Sequence, residues 1–76
     1  MEISYLNIDI RRHALIRAME RCITPDMVEA TIKCGKIERF GKNYIRFSKQ
    51  YKRFTVICIG EVAGTRLKII TIEAKW

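Results

Sequence analysis

The chain has 76 residues, room for one domain with one small core. Lysine and arginine total 15 against 8 acidic residues, and a net charge of +7 on so small a body favours a polyanionic partner such as RNA. An apolar content of 49% excludes a disordered tail, and no apolar run approaches the length of a membrane span.

Residues 3–8 read as a short extended lead-in, with Asn7 or Asp9 placed to cap the helix that follows. Apolar or small side chains then recur at 10, 14, 15, 18, 19 and 22, the stripe of a helix buried on one side. Arg17 and Arg21 fall at the edge of this stripe and His13 slightly further round, so the three form a file at spacings of four. A tight corner at Cys22-Ile23-Thr24 leads into a second helix. Thr24 caps it, Pro25 suits its first position, and Asp26 and Glu29 favour its positive end. Met27, Val28, Thr31 and Ile32 supply its apolar side, and Gly35 ends it.

From Lys36 the texture changes to strands. "KIERF" and "NYIRFS" flank Gly41-Lys42 as a hairpin over residues 36–48. "YKRFTVICIG" and "LKIITIEAK" are longer β-branched runs, separated by "EVAGTR" with a tight turn at Gly64. The reading is an α+β domain spanning residues 1–76: two N-terminal helices on one face of a twisted antiparallel sheet of three to four strands. Strand 53–59 is expected to be covered on both faces. In the last strand Ile70, Ile72 and Ala74 are expected toward the helices, with Thr71, Glu73 and Lys75 on the other face. Trp76 has three places open to it: the sheet edge, a dimer interface, or a frayed end.

Cys22, Cys34 and Cys58 form no close pair and have a single histidine beside them. That inventory fits reduced thiols and lacks the paired ligands of a structural zinc site, so neither metal nor cofactor is expected. The N-terminal residues lack the basic start, apolar run and cleavage site of a secretion signal. The expected compartment is the cytoplasm.

The helix pair reads His-Ala-x-x-Arg-x-x-x-Arg-x-Ile-Thr-x-x-x-Val, through His13, Ala14, Arg17, Arg21, Ile23, Thr24 and Val28 to Gly35. It resembles the DUF4258 family, small domains of uncharacterised function, and "RFTVICI" and "KIITIEA" look like that family's last two strands. Cys22 stands where a glycine is frequent in the family. The resemblance implies a fold grouped with the barnase, colicin and RelE-like ribonucleases, in which some relatives look like toxin modules. Carried over, the implied polar set is His13, Arg17, Arg21 and Thr71, with Arg53.

The residues themselves admit matching roles. An imidazole suits proton transfer near neutral pH, which makes His13 the candidate acid or base for RNA cleavage. The second proton-transfer role would fall to Glu20, Glu73, Tyr51 or solvent. Arg17 and Arg53 carry rigid donor forks fit for a phosphate, with Thr71 or Tyr51 positioning it. Arg21 either contacts nucleic acid or binds carbonyls at the end of its helix. Lys42, Arg46, Lys49, Lys52 and Arg53 cluster around the hairpin and next turn, interleaved with Tyr44, Phe47, Tyr51 and Phe54. The cations, Arg46 and Arg53 first among them, are candidates for backbone contacts and the rings for base stacking, with Phe47 and Phe54 expected in the core and Tyr44 or Tyr51 more exposed; otherwise the run forms a solvated edge that resists aggregation.

The leading expectation is therefore a metal-independent, toxin-type endoribonuclease or RNA-directed module, with an antitoxin-like protein as a candidate partner. The alternatives are a non-catalytic nucleic-acid-binding domain and a small homo-oligomeric structural or regulatory protein, for instance a homodimer.

Overall fold

The computed structural model describes residues 7–76. In chain order the elements are β1 (Asn7–Ile10), α1 (Arg12–Glu20), α2 (Pro25–Cys34), β2 (Lys36–Phe40), β3 (Tyr44–Gln50), β4 (Thr55–Ala63) and β5 (Arg66–Lys75). They form one sheet in the order β1-β5-β4-β3-β2, in which β1 pairs parallel to β5 and every other pairing is antiparallel.

This corrects the expected sheet. The α+β class holds, but the three- to four-stranded antiparallel sheet of the RelE and barnase type is replaced by a mixed sheet of five. The added strand comes from the lead-in, of which residues 3–6 lie outside the described residues. Its register runs from Asn7 opposite Arg66 to Ile10 opposite Ile69. Asn7 and Asp9 are thus strand residues and not helix caps. Arg11 occupies the N-cap of α1 without a side-chain cap bond, and its backbone N–H donates to the Ile69 carbonyl at 3.1 Å.

α1 buries Ala14 and Ala18 completely enough to bring its backbone close to the sheet, while Met19 and Cys22 of the expected stripe are exposed. The helix ends in a paired-bond closure: Ile23 N–H donates to the Ala18 carbonyl and Cys22 N–H to that of Met19. Such an ending needs a residue in the left-handed region just past the helix, and Cys22 takes it at φ 65°. Ile23, the next residue, is fully buried and fixes the corner.

α2 starts as its sequence indicates, with Thr24 Oγ1 accepting from the Met27 N–H at 3.2 Å and Pro25 in the first turn. Gly35 ends it in an extended conformation, φ −80° and ψ 176°. Glycine is required there by space: a Cβ would collide with the carbonyl oxygens of Thr31 and Ser48.

Both helices lie on one sheet face. Val28, Ile32, Ile45, Phe47, Val56, Cys58, Leu67, Ile69 and Ile72 form the core with the two alanines of α1. Burying Phe47 completely contributes about 2–3 kcal/mol. Among the described residues no helix lies against the other sheet face, and Ile57 and Ile59 of β4 are only half-buried there. The expectation that this strand is covered on both faces is corrected accordingly.

Among the described residues the sheet is irregular at one place, in β5. Ile69 pairs with Gly60 and Thr71 with Ile59, so Ile70 is an extra residue between consecutive residues of β4. A bulge of this kind switches the parity of a strand. Leu67 and Ile69 point to the core before it, Ile72 and Ala74 after it. Ile70, expected inward, is 40% exposed, whereas Thr71 and Glu73 lie on the face expected for them.

A cleft between the first helix and the free edge of the last strand

β1 stops opposite Ile69, so β5 runs on past its end with an unpaired edge. α1 packs beside that edge. The gap is a cleft of about 130 Å³ lined by His13, Ala14, Arg17 and Arg21 from the helix, and by Ile70, Thr71, Ile72 and Glu73 from the strand. The file at spacings of four therefore faces a single cavity, and the bulge at Ile70 sits in its wall.

The three cationic positions of this file differ in their commitments. Arg21 reaches across and donates from Nη1 to the Ile72 carbonyl at 3.3 Å, closing one end of the cleft and satisfying an edge acceptor. The ion pairs among the described residues join Lys33 to Glu29 and Arg46 to Glu38, so neither His13 nor Arg17 is engaged in one. Glu73, which shares the cleft, likewise makes no ion pair within 4 Å among the described residues. The cleft thus combines an imidazole and a guanidinium from the helix with a strand wall that includes Thr71 and Glu73.

The start of α1 adds to this charge. Arg11 and Arg12 stand at its uncapped N-terminus with no acidic residue in the first turn. Positive side chains at the positive end of a helix dipole oppose the helix. An anion bound at this end would offset that repulsion.

The remaining candidates fall elsewhere. Arg53 and Tyr51 do not line the cleft of His13. They belong to a second cavity, of about 320 Å³, with Gln50, Lys52, Phe54, Thr55, Lys75 and Trp76. The Tyr51 hydroxyl donates to the Met27 carbonyl of α2 at 3.3 Å, which commits it to packing. The assignment of Arg53 and Tyr51 to the His13 site is corrected by this separation. The hairpin cluster is dispersed as well. Lys42 is exposed in the β2–β3 turn, and Arg46 is held 2.8 Å from Glu38 on the helix-free face. Lys49, on the opposite face, lies 5.8 Å from the Tyr51 ring centroid. Arg46 keeps the Glu38 carboxyl below the usual carboxylate range, chiefly by the hydrogen bond and then by its charge.

None of the thiols has a place in either cleft. Cys22 and Cys34 are exposed and unpaired, and burial pushes the Cys58 thiol up to about 12, which makes it a core residue and not a nucleophile. Among the described residues no group of three or more His, Cys, Asp or Glu side chains is arranged to hold a metal, and no helix is long and apolar enough to cross a membrane.

Comparison with known proteins adds no assignment: no family model matches the chain, and no curated protein or solved structure matches it significantly.

Two features of this region are not legible as sequence. The end of β1 exposes the β5 edge, and the bulge makes Ile70 an extra residue, so that Ile69 and Ile72 share the core face. The doubled isoleucine at 69–70 is the only local sign of the bulge, since strict alternation would not place both in a half-buried strand.

Proposed function

We propose that the cleft between α1 and β5 binds a backbone phosphate of RNA and cleaves the chain there without a metal. The observation that carries this is one cavity of a strongly basic domain lined by His13, Arg17 and Arg21 from the helix and by Thr71 and Glu73 from the strand. In this reading the Glu73 carboxylate accepts the proton of a ribose 2′-hydroxyl, and the 2′-oxygen attacks phosphorus. The bond from phosphorus to the 5′-oxygen breaks, and the His13 imidazolium supplies the proton to that leaving oxygen. Arg17 and Thr71 hold the non-bridging oxygens as charge develops on them. The products are a 2′,3′-cyclic phosphate and a 5′-hydroxyl, and proton exchange with water resets the pair.

Arg21 serves as a positioning residue that ties the end of α1 to the strand edge. The resemblance to DUF4258 supports the same reading, since the family's implied polar set contains His13, Arg17, Arg21 and Thr71. Three unpaired cysteines fit the reducing environment of a cytoplasmic protein.

The test is incubation of end-labelled single-stranded RNA with pure protein in EDTA. Cleavage that leaves 2′,3′-cyclic ends, with DNA of the same sequence intact, is the expected result. Intact RNA across several sequences, together with salt-sensitive binding, would replace the nuclease by a binding module. A mass that falls on dilution with no nucleic-acid affinity would favour the homo-oligomer.

A further inference from the structure

The second cavity contains three aromatic rings in series. Tyr51 and Phe54 stack with centroids 5.9 Å apart and planes at 24°, and Phe54 and Trp76 at 4.9 Å and 27°. The series is anchored at one end and open at the other. Tyr51 and Phe54 pack against the core, and the Tyr51 hydroxyl is bonded to α2. Trp76 is 78% exposed. Lys52, Arg53 and Lys75 line the same cavity, and neither ion pair of the described residues involves any of them. A stack of rings with a free outer face, ringed by uncommitted cations, matches the requirements for an unpaired nucleobase and its flanking phosphates.

We infer that this cavity is a base-stacking subsite for single-stranded RNA, with Trp76 as its outer platform and Lys52, Arg53 and Lys75 as its phosphate contacts. The inference rests on the phosphate-binding reading of the α1–β5 cleft and gives its substrate a strandedness. β5 connects the two places. Thr71 and Glu73 line the first cleft and Lys75 the second, and from Thr71 to Lys75 the strand spans about 13 Å at the rise of a β-strand. A single strand with a phosphate at Arg17 can therefore lay a nearby base on Trp76. A duplex keeps its bases in its own stack and has none to offer. The stack also gives Trp76 a place that composition alone left open among edge, interface and fraying.

Trp76 is the only tryptophan of the chain, so its emission reports on the subsite directly. The experiment titrates the protein with dye-labelled single-stranded RNA made uncleavable by 2′-O-methyl ribose, following anisotropy of the dye and, in the same RNA unlabelled, quenching of Trp76. Free tryptophan serves as the absorbance control. Quenching that saturates in step with anisotropy is expected for single strands, with little quenching by a duplex or an abasic strand of equal charge. Trp76→Leu is expected to weaken single-strand binding roughly tenfold and duplex binding hardly at all. A rise in anisotropy with unchanged Trp76 emission, or equal affinity in Trp76→Leu, overturns the subsite while the phosphate reading stands. No rise in anisotropy with any RNA overturns both.

Discussion

The α1–β5 cleft and the β2–β3 hairpin are both rich in cations, and they differ in what those cations already hold. On the hairpin, Arg46 is 2.8 Å from Glu38 and the two side chains stand directly opposite each other in register. In the cleft, Arg17 and His13 face a strand edge and make no ion pair among the described residues. Charge density alone ranks the two regions alike. Partner geometry separates them: a guanidinium satisfied by its cross-strand neighbour strengthens a sheet, whereas one directed at a cavity remains free for a ligand.

Substitutions can break this contrast. The largest effect is expected for Arg17→Ala, which should lower RNA cleavage about 10²- to 10³-fold, the usual cost of removing one donor from a developing oxyanion. The same change should leave thermal stability within about 0.5 kcal/mol, as for an ordinary surface position. A stability loss that accounts for the lost activity would make Arg17 architectural. Within the same cleft Arg21→Ala is expected to act in the opposite sense, costing about 1 kcal/mol in denaturant unfolding through the lost bond to Ile72. Cleavage by the folded fraction should fall far less than for Arg17→Ala.

A stabilising change tests whether the corner is architecture only. Cys22 holds φ 65°, a conformation that glycine adopts without strain. Cys22→Gly should raise stability by about 1 kcal/mol with unchanged cleavage, measured by melting and turnover in parallel. A loss of stability would mean that the thiol packs better than its exposure indicates.

The smallest effect belongs to the hairpin. Glu38→Gln releases Arg46, and the slope of log affinity against log salt should steepen by up to about one unit if the freed guanidinium then meets a phosphate. Because the Glu38 carboxyl is lowered in the folded chain, the pair supports folding above the ordinary carboxylate range and loses that support as pH falls through the lowered value. Wild type and Glu38→Gln should therefore converge in melting temperature at low pH.

Much of this arrangement is legible in the sequence where local chemistry decides it. Thr24-Pro25 starts α2, Gly41 and Gly64 take the left-handed turn positions of two hairpins, and the file of His13, Arg17 and Arg21 does line one cavity. What is not legible depends on contacts distant in the chain. Asn-Ile-Asp-Ile is too short and too polar to announce a strand, and becomes one because β5 offers it an edge. Once it is a strand, Asp9 is no longer available as a cap. Arg53 and Tyr51 suit a site with His13 by residue type, but the turn at residues 51–54 carries them to a different cavity. The bulge at Ile70 requires the register of two strands, which no periodicity in one of them specifies.

The most direct test sets the two regions side by side. Single-turnover cleavage of one single-stranded RNA in EDTA would be measured with wild type, His13→Ala and Arg46→Ala, all purified in parallel. The account predicts a loss of about 10²-fold or more in His13→Ala, the scale of a proton-transfer group, and a rate within about twofold of wild type in Arg46→Ala. Equal rates in wild type and His13→Ala, or a loss confined to Arg46→Ala, would contradict it.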